Sequence, residues 1–253
     1  MKYPKRIDIP IEKVEKVSST NDYLSYLCSE GVAQEFHTVI AKLQTEGRGQ
    51  RGNSWESEDG KNLMFSMVLY PTALEAKKQF YLSMLVAVSI IDALGKYTDG
   101  FSIKWPNDIY WSDKKIAGVL IENELQGKYI MRSIIGVGLN VNQEVFVSDA
   151  PNPVSLKQII GATINIDELL LKILHGIVAS YRLLEENFDR MSGTLNILYL
   201  RSLYRRNGYF PYRDATGVFN AQFERLEPDG HINLQDEQGN LRRYAFKEVE
   251  YIL

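Results

Sequence analysis

The stretch KKIAGVLIENELQGKYIMRSIIGVGLNVN, residues 114–142, limits the possible folds more than any other. It reads as two long strands rich in Val and Ile, with the tight turn between them at Gln126-Gly127. Strands of this composition lie centrally in a sheet, where neighbours cover both edges and both faces. The chain supplies such neighbours. HTVIAKLQ and NLMFSMVLYP read as strands, the second ended by Pro71, and residues 101–105 of FSIKWP form a short one.

Helical patterns supply the cover. SSTNDYLSYLCSEG places Tyr23, Leu24, Leu27 and Cys28 on one face, with Ser18, Ser19 or Thr20 as N-cap and Gly31 as the stop. Residues 75–97 carry the longest apolar helical pattern and should pack across the sheet. Residues 166–188 form a helix with Asn165 or Asp167 near its start, and residues 193–206 a further one. At Asn207-Gly208 the character changes to short alternating strands, with turns at Pro228-Asp229-Gly230 and Gln238-Gly239-Asn240. The expected fold class is α+β: a mixed sheet packed with helices over residues 1–207, then a small β-barrel over 208–253.

Composition excludes several classes of function. The 253 residues carry a net charge of −3, which argues against nucleic-acid binding through a broadly basic surface. One cysteine, Cys28, rules out a disulfide within the chain and fits a reducing cytoplasm, the expected location. No apolar run is long enough to span a bilayer, and no secretory signal follows Met1. His37, His175 and His231 are scattered, without the spacing of a metal site.

Five short segments carry chemistry. KLQTEGRGQRGNSWES crowds Gly47, Gly49 and Gly52 around Arg48 and Arg51, either a basic surface loop or a loop built to hold an anion. KWPNDIYW sets Asn107 and Asp108 behind a proline at a strand-to-strand turn. In SDKKIAGVLIE adjacent lysines point to opposite faces, so one of Lys114 and Lys115 points into the sheet's buried or cleft side, and Gly118 leaves room for a close approach. In GVGLNVN, Gly136 and Gly138 leave space for something flat or bulky, and Asn140 either donates to a ligand or satisfies a turn. SSTN caps a helix whose N-terminus can also hold a polar group.

In order and spacing, SSTN, Q-x-x-GRGxxGxxW, KWPNDI, KKIAGVLIE and GVGLNVN, followed by a small β-unit, resemble the biotin–protein ligases. The resemblance runs from Val17 onward. It implies a class II synthetase-like catalytic domain and a C-terminal SH3-like β-barrel. It also implies a two-step reaction: the biotin carboxylate attacks the α-phosphate of ATP, and a lysine of a biotin carboxyl carrier domain then takes the biotinyl group from the adenylate. Residue by residue, it implies a catalytic Lys115 with Arg48 and Arg51. It places Ser19, Thr20, Asn21, Gln44, Gly49, Gln50 and Gly118 with Arg48 and Lys115 at biotin. Asn53, Trp55, Asn107 and Asn140 fall with the arginines at the nucleotide, and Asp108 at Mg²⁺. ATP and Mg²⁺ are expected as the substrate complex, with no tightly bound metal.

Two departures accompany the resemblance. Many members carry arginine where this chain has Gln50 and Asn53. The match also leaves no room for the winged helix-turn-helix of some relatives, so specific DNA binding is not expected. No membrane partner is expected, and the protein is a monomer or homodimer. Lipoate–protein ligases, octanoyltransferases and a non-catalytic biotin or nucleotide sensor are the rival readings.

Overall fold

The computed structural model describes residues 9–148 and 151–253, excepting the Arg51 side chain. The chain's first eight residues, on which the reading of its start depends, lie outside them.

The central pair forms as the sequence requires. Strands β6 (Lys114–Gln126) and β7 (Tyr129–Leu139) run antiparallel, turning at Gly127, whose φ of +61° suits glycine. They sit inside a seven-stranded sheet with β1 (Ile11–Val17), β2 (Thr38–Gln44), β3 (Leu63–Leu69), β4 (Phe101–Lys104) and β5 (Asp108–Trp111), in the order β1-β2-β3-β7-β6-β5-β4. Only β1 and β2 pair in parallel.

The two faces of this sheet have different tasks. Leu63, Phe65, Met67 and Leu69 of β3, with Ile135, Val137 and Leu139 of β7, face the main core. Three helices cover them: α2 (Phe80–Leu94), α4 (Ile166–Glu186) and α5 (Phe188–Arg201). On α4 the buried residues recur at Leu169, Leu170, Ile173, Leu174, Ile177 and Val178, a helical stripe. Each such side chain contributes about 1.5–3 kcal/mol on burial. The opposite face is covered only in part. There α1 (Thr20–Ser29) packs Leu24 and Leu27 on Val39, Val68 and Ile134, and the rest of that face stays open.

Several boundaries differ from the sequence reading. The helix expected at 193–206 is α5, which starts at Phe188 because Asn187 ends α4 and caps α5, its Oδ1 accepting from Arg190 N. The pattern at 75–97 holds a 3-10 turn, Ala76–Lys78, before α2 proper. Strand β1 and the short helix α3 (Leu156–Ile160) were not anticipated. In β1 the apolar residues, Ile11, Val14 and Val17, fall three apart among charges and do not alternate, and it sits at the sheet edge, where charged side chains are tolerated.

Beyond α5 the chain forms a five-stranded antiparallel meander of SH3-like order: β8 (Phe210–Asp214), β9 (Gly217–Leu226), β10 (Ile232–Asp236), β11 (Leu241–Tyr244) and β12 (Glu250–Tyr251), with β12 returning beside β8. Its core is continuous with the main one. Trp105 Nε1 donates to Gly230 O at 2.9 Å, and the Phe246 ring meets those of Trp105 and Phe80 edge-on.

Asp214 anchors this meander. Its carboxylate accepts from Thr216 Oγ1 and N, Tyr244 Oη and Arg242 Nη1. The hydroxyls of Thr216 and Tyr244, chiefly, hold its pKa well below the ordinary carboxylate value, against the opposing effect of burial. A depressed native pKa gives stability that is complete above the unfolded value, about pH 4, and is lost as pH falls through the native one. Urea denaturation across about pH 5 to pH 2 should therefore show a smaller acid-induced loss for Asp214→Asn than for the wild type.

Candidate active site

The open part of the second face is a cleft of about 450 Å³. Its floor is built from small residues in register. Gly118 of β6 pairs with Gly138 of β7, Leu120 with Gly136, and Gly136 in turn with Ser66 of β3. The space left in GVGLNVN is filled from within the chain. A Cβ at Gly136 would collide with the Asn21 amide, and one at Gly138 with the Trp55 indole. Trp55 also lies against Gly118, where a Cβ would stand 3.3 Å from its ring. The indole Nε1 is buried and has no hydrogen-bond acceptor among the described residues.

At one end the N-terminus of α1 supplies Ser19, Thr20 and Asn21, all buried. Ser19 is the N-cap. Gln44, the last residue of β2, accepts from Thr20 N at 2.7 Å and from Thr20 Oγ1 at 3.0 Å. The Ser66 hydroxyl stands 2.7 Å from Thr20 Oγ1 and 2.5 Å from Asn21 Oδ1. The resulting polar pocket is closely interlinked, which fixes the direction of each donor and acceptor.

The glycine loop forms one wall. It closes on itself through Gly49 N to Asn53 O and Trp55 N to Gly47 O, and Gly47 has no room for a side chain beside Trp55 O. Gly49, Gln50 and Asn53 line the cleft. Arg48 lines it too, held by Asp22 at 2.6 Å and Glu122 at 2.9 Å. The Arg51 side chain lies outside the described residues.

The other wall is the β4–β5 turn and the start of β6. Lys115 Nζ stands 2.7 Å from Asp108 Oδ1 and 5.7 Å from the Trp55 ring centroid. Lys114 is exposed, so Lys115 is the lysine of the pair that turns inward. Asn107 donates its amide to Val119 O at 2.7 Å, tying the turn to β6. Lys104, the lysine that opens KWPNDIYW, also lines the cleft, 3.2 Å from Tyr110 Oη and above the Tyr110 and Tyr251 rings. Burial lowers its pKa below the ordinary lysine value, with Asp108 pulling the other way. Val249, Glu250 and Tyr251 close the cleft from the C-terminal meander, a contribution for which the sequence held no local signal.

One expected residue stands apart. Asn140 does not line the cleft. It is buried, and its amide donates to Val154 O at 3.2 Å, which brackets the segment leading to α3. That bond engages the side-chain amide within the chain. The acidic cluster Glu227, Asp229 and His231 lies away from this cleft, and Arg243 pairs with both of its carboxylates.

A two-layer α+β scaffold that leaves part of one sheet face open, and rings it with a glycine loop, a lysine–carboxylate pair and a polar inner pocket, defines a small-molecule cleft. The comparisons give that class a family. The biotin/lipoate A/B protein ligase family matches residues 14–140, half of the chain, and the chain belongs to it. It is similar to the bifunctional ligase/repressor BirA of Bacillus spizizenii, 36% identical over 132 residues, covering 51% of this chain and 39% of that protein. It also resembles the biotin–[acetyl-CoA-carboxylase] ligase of Paracoccus denitrificans, 33% identical over 141 residues, or 52% of this chain and 57% of that one. The match thus spans well under two thirds of these relatives' length. The solved biotin protein ligase from Aquifex aeolicus, in complex with biotin and ATP, superposes with a TM-score of 0.77 at 26% identity, covering 96% of this chain and 99% of that one.

The Trp55–Gly138 contact can be checked directly. Gly138→Ala should displace the indole, raise acrylamide quenching of Trp55 fluorescence in a background lacking Trp105 and Trp111, and cost about 1–3 kcal/mol in denaturation.

Proposed function

We propose that this chain is a biotin–protein ligase: it forms biotinyl-5′-AMP from biotin and ATP and transfers the biotinyl group to a lysine of a biotin carboxyl carrier domain. The observation that carries this reading is the meeting, in one cleft, of the polar pocket at α1, the arginine of the glycine loop and the Lys115–Asp108 pair. The Aquifex aeolicus protein it superposes on is described as holding biotin and ATP.

The chemistry asks two anions to meet. In the first step a carboxylate oxygen bonds to the α-phosphorus and the bond to pyrophosphate breaks. Lys115 stands where it can neutralise both, leaving Asp108 for the nucleotide side, and fixed cations of this kind are the largest aid to such a transfer. Asp108 would be the carboxylate to hold a Mg²⁺ accompanying the phosphates, which would help to neutralise their charge. Thr20, Asn21 and Gln44 offer donors and acceptors to the polar ring of biotin, and the Trp55 N–H offers an unmet donor to the nucleotide. In the second step the acceptor's amine nitrogen bonds to the acyl carbon, AMP leaves, and the amine loses a proton. The glycine loop covers the adenylate meanwhile and keeps water from it.

With biotin, the wild type should catalyse ATP–pyrophosphate exchange, and Lys115→Ala should lower the rate by about 10²–10³-fold. Exchange driven by lipoate or octanoate alone would move the chain to the sister activities, and biotin binding without exchange would favour a sensor.

Gln50 and Asn53 leave this loop two charges short of its most basic relatives. Gln50→Arg should slow release of the adenylate in a stopped-flow chase, and an unchanged rate would remove any role for the missing charge.

A further inference from the structure

Glu122 is a carboxylate on the bare face of the sheet, one step beyond the glycine floor and opposite Ile134. It touches two parts of the cleft at once. Its Oε2 accepts from Asn21 Nδ2 at 2.7 Å and from Arg48 Nη2 at 2.9 Å, and its Oε1 accepts from Arg48 Nη1 at 3.1 Å. The grip on Arg48 is two-pronged, the strongest geometry a guanidinium has. Asp22 takes Arg48 Nη2 from the other side, at 2.6 Å. Asn21 is itself fixed, its Oδ1 lying over Gly136 and beside Ser66.

We infer that Glu122 is a positioning residue that couples the filling of the inner pocket to the state of the glycine loop. Arg48, Asp22 and Glu122 together carry one net negative charge. The guanidinium is therefore already engaged before any anionic substrate arrives. To face a carboxylate or phosphate it must exchange at least one of these partners. Any ligand that draws on Asn21 acts on the same Glu122 oxygen that holds Arg48, so the two events are joined through one carboxylate. Glu122 acts through its neighbours and not on the reacting atoms. The coupling rests on biotin as the pocket's occupant, whereas the anchoring of the loop does not.

Trypsin reads this anchor directly, because it must take the Arg48 side chain into its own pocket before cutting the Arg48–Gly49 bond. Glu122→Gln keeps an acceptor for Asn21 and removes the charge that faces Arg48. Glu122→Ala removes both. In the ligand-free protein, Glu122→Gln should speed cleavage after Arg48 about five-fold, the scale of a half-exposed ion pair, with the KM for biotin in pyrophosphate exchange almost unchanged. Glu122→Ala should also raise that KM about ten-fold and abolish protection of the loop by biotin. Asp22→Asn should reproduce the loop effect alone.

Cleavage after Arg48 at the wild-type rate in both Glu122 variants would overturn the inference, as would cleavage rising equally at sites throughout the chain, the mark of plain destabilisation. Wild-type cleavage that biotin does not slow would overturn the coupling. Absence of exchange in the wild type would instead strike the proposed substrate and leave the loop anchor to be judged by the ligand-free rates.

Discussion

The structure depends on one constraint: a patch of sheet face cleared of side chains at three neighbouring positions. Gly118 and Gly138 face each other across β6 and β7, and Gly136 follows on β7 opposite Leu120. Each costs strand stability, because glycine loses more freedom on folding and packs nothing. The cost is met on the opposite face, where Ile135, Val137, Leu139, Ala117 and Val119 of the same strands lie in the main core beneath α2 and α4. Strict alternation thus lets one pair of strands be the centre of the core on one side and the floor of a cleft on the other.

From that floor the rest of the site follows. Asn21 reaches Ser66 and Glu122 because nothing stands above Gly136. The Trp55 ring settles over Gly138 and Gly118, which brings the glycine loop down to the sheet and the indole beside Lys115. Larger residues on this patch would lift both groups off the backbone. The electrostatics are arranged in the same way, with carboxylate or aromatic partners for three cations of the cleft: Arg48 with Asp22 and Glu122, Lys115 with Asp108, Lys104 by Tyr110 and Tyr251.

What the sequence revealed follows from how far apart the relevant residues are. The central strands, α1 and α4 were legible because their signals are periodic and local. The cap of α1 and the turns of the meander were legible for the same reason. Strand β1 was not, since IEKVEKV spaces its apolar residues three apart among charges, without the period of two that marks a strand, and finds its partners elsewhere, as Lys13 does on Asp167. In the site, the glycine loop, Lys115 and Asp108 stood out by composition and spacing. Glu122 did not, because its partners lie 74 and 101 residues away and a lone glutamate in a strand looks like a solvated one. A carboxylate two residues beyond Leu120, on the glycine-bearing face, was the signal available. Asn140 shows the converse: its motif admitted either a ligand or a turn, and the choice turns on a contact fourteen residues on, where Val154 O accepts from its amide.

The C-terminal meander closes the cleft with Val249, Glu250 and Tyr251, and its Gly230 receives the Trp105 indole across 125 residues of sequence. Walls of one cleft are therefore supplied by Ser19 and by Tyr251, which lie far apart in the sequence. The glycine floor and the helices on its far side belong to the main unit, but without the meander the cleft lacks one wall and Trp105 lacks its acceptor. The integrity of the cleft is thus tied to the docking of a small β-unit: whatever loosens that unit opens a wall of the site and bares an indole of the main core in the same event.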